Sequence, residues 1–130
     1  MKFHAICENH LYSKAYSKGK RAIMPSVAIY VLPDLKAELW RRQNPQKTKI
    51  NRIGLTVSKK IGGAVTRNRV KRILREGLRA VMREEELRGG FLIVIAARER
   101  VRDKKSTDVS RELVSAFRQL GLIAHRPDAK

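Results

Sequence analysis

The sequence predicts an α+β fold, a two-layer sandwich in which helices pack on a single sheet, and three features carry that prediction. Apolar residues recur at three- and four-residue spacing over 64–87, which marks a long amphipathic helix. Runs rich in β-branched residues at 27–32, 52–59 and 91–97 mark strands. The order is helix, strands, long helix, strand, helix, which suits one sheet covered by helices around one core. With 130 residues the chain has room for a single domain, here taken as 1–130 with 1–5 and 122–130 expected to be flexible.

Each element has a local reason. Residues 9–18 read as a short helix ended by Gly19, with Leu11 and Ala15 on one side and Tyr12 and Tyr16 on the neighbouring side. Residues 27–32 form a strand stopped by Pro33. The polar stretch 34–51 carries the single tryptophan, Trp40, and reads as a long surface loop. Over 52–59, Ile53, Leu55 and Val57 alternate with Gly54, Thr56 and Ser58, and Lys60 continues the second set. That strand therefore has one apolar face and one small, polar face open for contact. In the long helix Val70, Ile73, Leu74, Gly77, Leu78, Val81 and Met82 form the core stripe, and Gly77 is expected to allow close approach to the sheet. The unbroken apolar run at 91–97 predicts a buried strand. A charged loop over 98–105 precedes a last helix that starts around Ser106, buries Val109, Leu113, Val114, Phe117 and Leu120, and closes at Gly121.

Charge is the strongest signal for function. Thirty Lys and Arg against twelve Asp and Glu give a formal net charge of +18. Such a domain repels itself unless a polyanion neutralises it, and nucleic acid is the first candidate. A membrane surface fits less well, because the longest apolar run, 91–97, is too short to span a bilayer. The N-terminal residues lack the apolar stretch of a signal peptide, and a lone Cys7 suits a reducing cytoplasm. Cys7 between His4 and His10 does not amount to a metal site.

The cations are also patterned. Between Lys59 and Arg79 stand eight basic residues and one acid, Glu76. At helical pitch Asn68, Arg72, Arg75 and Arg79 form one stripe, with Lys71 beside it, away from the apolar stripe. A row of guanidinium forks meets successive phosphates, and the helix N-terminus near Arg67 and Arg69 adds amides and a favourable dipole. A merely solvated face would mix signs.

The run 58–79, with Ser58-Lys59-Lys60, Gly62, Ala64-Val65, Arg67-Asn68-Arg69, Lys71-Arg72 and Arg75, resembles the signature of the bacterial ribonuclease P protein family. The flanks resemble it too: Glu8-Asn9-His10-Leu11-Tyr12 with Tyr16 and Gly19, then Ala28-Ile29-Tyr30, then the 91–97 strand followed by Arg98. The resemblance implies one four-stranded sheet with a left-handed βαβ crossover through the basic helix. It implies that Lys59, Arg67, Asn68, Arg69, Lys71, Arg72 and Arg75 face the catalytic ribonuclease P RNA. It also implies that Tyr12, Tyr16 and Tyr30, with Thr56, Ser58 and Lys60, line a cleft for the single-stranded 5′ leader of precursor tRNA. Ordinary edge-of-core packing is the alternative for each tyrosine. Val27 stands where relatives often carry an aromatic, so a thinner stacking surface is expected.

The function so implied is that of the protein subunit of an endoribonuclease that removes the tRNA 5′ leader, monomeric within a cytoplasmic ribonucleoprotein. Catalysis would lie with the RNA and its Mg²⁺ ions. The acids are scattered or run together at Glu84-Glu85-Glu86, and form no paired-carboxylate site. A ribosomal or other structural RNA-binding protein is the alternative, and it would need no leader cleft.

Overall fold

The computed structural model describes residues 4–5, 9–33, 51–85, 87 and 90–123. In chain order its elements are β1 (His4–Ala5), α1 (Asn9–Lys18), β2 (Lys20–Ile23), β3 (Val27–Pro33), β4 (Arg52–Thr56), η1 (Lys59–Ile61, a 3-10 turn), α2 (Ala64–Glu84), β5 (Phe91–Ala97), η2 (Glu99–Asp103, also 3-10) and α3 (Ser106–Gln119). Four strands in the order β4-β5-β3-β2 make the sheet, and the two-residue β1 extends its edge beside β4. β4 and β5 are parallel neighbours joined through α2, while β3 pairs antiparallel with both β5 and β2.

The periodicity of each strand follows from what covers it. β5 is apolar throughout because both of its faces are covered. Ile93 and Ile95 enter the main core, which α2 and α3 cover, and Leu92 and Val94 pack with Ala15 of α1 on the other face. β3 divides likewise, sending Val27, Ile29 and Val31 into the main core and Tyr30 and Leu32 toward α1. Ile53 of β4 is buried in the same core, with Leu55 and Val57 packed against it. The core stripe of α2 is the one that spacing predicted: Val70, Ile73, Leu74, Gly77, Leu78, Val81 and Met82 are all buried.

Several expectations need correction. Gly77 meets α3 rather than the sheet: a Cβ there would lie 2.8 Å from Val109 Cγ1 and 3.1 Å from the Ser106 carbonyl oxygen. Helix α2 stops at Glu84 rather than near Leu87, because Glu85 is extended and Leu87 is buried in an antiparallel bridge with Ile123. Glu85 is partly buried and lies 3.8 Å from Arg118. Strand β4 ends at Thr56, since the chain turns into η1 at Ser58. The expected loose tail does not begin at 122: Leu122 and Ile123 are buried in the main core. There the chain reverses through Gly121, with φ +78, and the Leu122 amide donates to the Phe117 carbonyl at 2.8 Å. Strand β2 was not foreseen; Lys20–Ile23 is short and its alternation is masked by two cations. Trp40, Cys7 and the rest of 34–50 lie outside the described residues. Asn51 is buried, and its Oδ1 accepts the Phe91 amide at 3.0 Å. No described helix is long and apolar enough to cross a membrane.

Candidate nucleic-acid interface

The sheet face under α1 is built in rows by the strand register. One row runs Gly54, Val94, Tyr30, Arg21, and the next runs Thr56, Ala96, Ala28, Ile23. Helix α1 crosses this face with Ala15 fully buried against Leu92 and Val94. Tyr12 and Tyr16, three before and one after Ala15, are thereby brought onto the same rows.

Tyr12 lies over Gly54. A Cβ at Gly54 would stand 2.4 Å from the Tyr12 hydroxyl oxygen and 2.6 Å from its ring carbons, so only glycine lets the ring rest on the strand. Tyr16 reaches the next row, its hydroxyl 3.1 Å from Thr56 Oγ1. Its ring meets Tyr30 edge-to-face, with centroids 4.7 Å apart and planes at 85°. Tyr16 is 41% exposed, whereas Tyr12 and Tyr30 are partly covered. The three tyrosines and Thr56 thus form one cluster in which Tyr12 is floor and Tyr16 is rim.

Beyond Tyr16 the small side chains of Ala96 and Ala28 keep the floor low, and Ile23, 51% exposed, ends that row at the β2 edge. Val27 is fully buried in the main core and does not belong to the cleft; its neighbour Ala28 occupies the cleft face. Ser58 and Lys60 are exposed where the chain leaves β4. Both line a cavity of about 390 Å³ with Pro25, Arg98 and Arg100. The wall carrying Pro25 is fixed from two sides. Arg98 Nη1 donates to the Met24 carbonyl at 2.7 Å, and the Ser26 amide donates to Glu112 Oε1 at 2.8 Å. Sequence reasoning missed these two clamps: Arg98 stood out only as part of the family resemblance, Glu112 stands in no motif, and the partners of both are far away in sequence.

The basic surface lies on α2, across the sheet from α1. Gly62, at φ +152 and ψ −165, turns the chain from η1 into α2 in a conformation open to glycine. The first turn of α2 carries no acid. Asn68, Arg72, Arg75 and Arg79 are exposed along the helix and Lys71 is partly covered, as the pitch predicted. Lys59 is exposed on η1. Two residues of the motif differ from a plain solvent-facing row. Arg67 is partly covered, and its Nε is buried without a partner among the described residues. Arg69 is exposed, but its Nη1 donates to the Arg102 carbonyl at 2.9 Å.

Chemically, the two surfaces offer cations for phosphates on one side of the sheet and an aromatic, hydroxyl-bearing groove on the other. The model of the Ribonuclease P family matches residues 1–121 of the chain. The ribonuclease P protein component of Clostridium acetobutylicum is 32% identical over 96% of this chain and 95% of its own length. That of Clostridium botulinum strain Loch Maree is 30% identical, covering 94% and 98%. Among solved structures, the RNase P protein of Staphylococcus aureus superposes with a TM-score of 0.70 at 22% identity, over 95% of this chain and all of that one. The RNase P protein from Thermotoga maritima gives 0.61 at 20% identity, over 80% and 86%. These two structures share the fold.

Proposed function

The chain belongs to the ribonuclease P protein family, the protein subunits of a tRNA-processing endoribonuclease, and we propose that it acts there as a binding subunit that leaves bond cleavage to the RNA. Helix α2 docks on the catalytic RNA through Arg72, Arg75, Asn68, Lys71 and the Arg67–Arg69 turn, with Lys59 at its approach. Planar guanidinium forks pair with phosphate oxygens, and release of condensed counterions drives the association. The groove under α1 takes the unpaired 5′ leader of precursor tRNA. Stacking on an aromatic ring tolerates any base and contributes about 1–3 kcal/mol per base, so a leader of arbitrary sequence is held. Thr56, Ser58 and Lys60 supply hydroxyls and a cation along its path.

The observation that carries this reading is the Tyr16–Tyr30–Thr56 cluster. A structural RNA-binding protein has no need of an exposed ring, supported from beside and below, on a sheet face away from its basic helix. The described residues hold no group of three or more His, Cys, Asp or Glu suited to a metal ion. In the proposed reading the Mg²⁺ of the reaction is held by the RNA partner. In this reading the protein works as a monomer in a cytoplasmic ribonucleoprotein. The test is reconstitution with a bacterial ribonuclease P RNA and precursor tRNA at low Mg²⁺. Leader removal should require the RNA and be stimulated by the protein. Cleavage by purified protein free of RNA, or no stimulation at low Mg²⁺, would contradict the proposal.

A further inference from the structure

The segment 98–105 holds five cations and two acids, of which the surfaces described above use only Arg98 and Arg100, as lining of the cavity beside Lys60. It is an ordered element rather than a charged loop. Val101 is fully buried in the main core, its amide donates to the Arg98 carbonyl at 3.0 Å, and the Lys104 amide donates to the Val101 carbonyl at 3.0 Å. With about three residues per turn and Val101 pointing inward, Arg100 and Arg102 are turned out and exposed. One more bond fixes η2 from outside, the 2.9 Å contact from Arg69 Nη1 to the main-chain carbonyl of Arg102. A guanidinium has five N–H donors, so this bond leaves others for a phosphate.

We propose that η2 is a second contact element for the catalytic RNA, and that Arg69 is a positioning residue that docks η2 against α2. The proposal rests on the reading of the chain as an RNA-binding subunit. Arg69 ties η2 to the N-terminal half of α2, so Arg102 continues the basic surface of that helix. Arg100 lines the cavity beside Lys60, which places η2 where the helix surface meets the end of the cleft. The acceptor on residue 102 is main-chain, so Arg102→Ala removes a cation while leaving the Arg69 bond its partner. Arg69→Ala removes the bond together with Arg69's own cation, and frees the element that carries Arg102.

The test measures binding of the full chain to ribonuclease P RNA over a range of salt, without precursor tRNA. Its variants are Arg69→Ala, the pair Arg100→Ala with Arg102→Ala, all three together, and Arg72→Ala with Arg75→Ala as reference. The η2 pair should bind roughly tenfold more weakly and flatten the log–log salt slope by about one per lost phosphate contact. Arg69→Ala should weaken binding, and by less when the η2 pair is already absent, since only the loss of its own phosphate contact then remains. In the free protein the Lys104 amide should exchange faster in Arg69→Ala and be unchanged in Arg102→Ala. Normal affinity of the η2 pair would overturn the contact surface, as would a loss confined to leader-bearing precursor on the assembled holoenzyme. Additive losses, or unchanged Lys104 exchange in Arg69→Ala, would overturn the positioning role. If the α2 reference pair also bound normally, the RNA-binding reading itself would be the one to fall.

Discussion

Three contacts of single residues decide how the groove and the core are built. At Gly77 two effects oppose. Alanine improves helix propensity by about 1 kcal/mol, but its Cβ would stand 2.8 Å from Val109 Cγ1, and overpacking a filled site costs about 1–3 kcal/mol. Both helices are anchored in the core, so crowding should win, and Gly77→Ala should lower the urea midpoint; a raised midpoint would show that α3 yields freely. The tyrosines should separate in the same experiment. Tyr12 rests on Gly54 and packs with the Ala15 cluster, so Tyr12→Ala should cost stability on the order of 1–3 kcal/mol. Tyr16 is 41% exposed and bonded through an exposed hydroxyl pair, so Tyr16→Ala should cost less than about 1 kcal/mol. An equal loss at both positions would mean that Tyr16, too, is chiefly a packing residue.

At the scale of elements, strong periodicity was readable and positions set by tertiary contact were not. The α2 core stripe and the two-sided burial of β5 follow from spacing and composition alone, and both are present in full. Helix α1 matches its expected bounds because Gly19 ends it. β2 escaped notice because its pairing to β3, not its own four residues, makes it a strand. The partner of Gly77 and the end of α2 escaped for the same reason, since α3 and Ile123 are far away in sequence. Tyr12, Tyr16, Tyr30 and Thr56, grouped by the resemblance, do cluster in space, but residue type could not tell floor from rim, nor show that Val27 is buried in the main core. The exposed stripe of α2 can be tested as an element. Arg72→Ala with Arg75→Ala should leave helicity by circular dichroism unchanged, because neither side chain enters the core. Binding to ribonuclease P RNA should weaken, with a salt slope shallower by about two. Lost helicity would mean that these arginines support the fold.

Across the whole molecule, the sheet separates two kinds of surface. α2 and α3 cover one face and present cations, while α1 covers part of the other and leaves a groove lined by Tyr12, Tyr16, Tyr30, Thr56, Ala96 and Ala28. η1 and Gly62 join the surfaces at the end of β4. A net charge of +18 makes attraction to RNA long-ranged and sensitive to salt, so affinity for RNA of any kind should fall steeply as salt rises. In the proposed reading the groove adds what charge alone does not, a preference for RNA with an unpaired end. Stacking acts only on nucleotides that are present, which makes leader length the direct probe. The decisive measurement is the affinity of holoenzyme carrying Tyr16→Ala for three ligands: precursor tRNA with a leader of several nucleotides, precursor with a single leader nucleotide, and mature tRNA. The long-leader precursor should bind about 1–3 kcal/mol more weakly than to the unaltered holoenzyme, while the other two and assembly with the RNA remain nearly unchanged. Equal weakening of all three ligands would contradict the assignment of the groove to the leader.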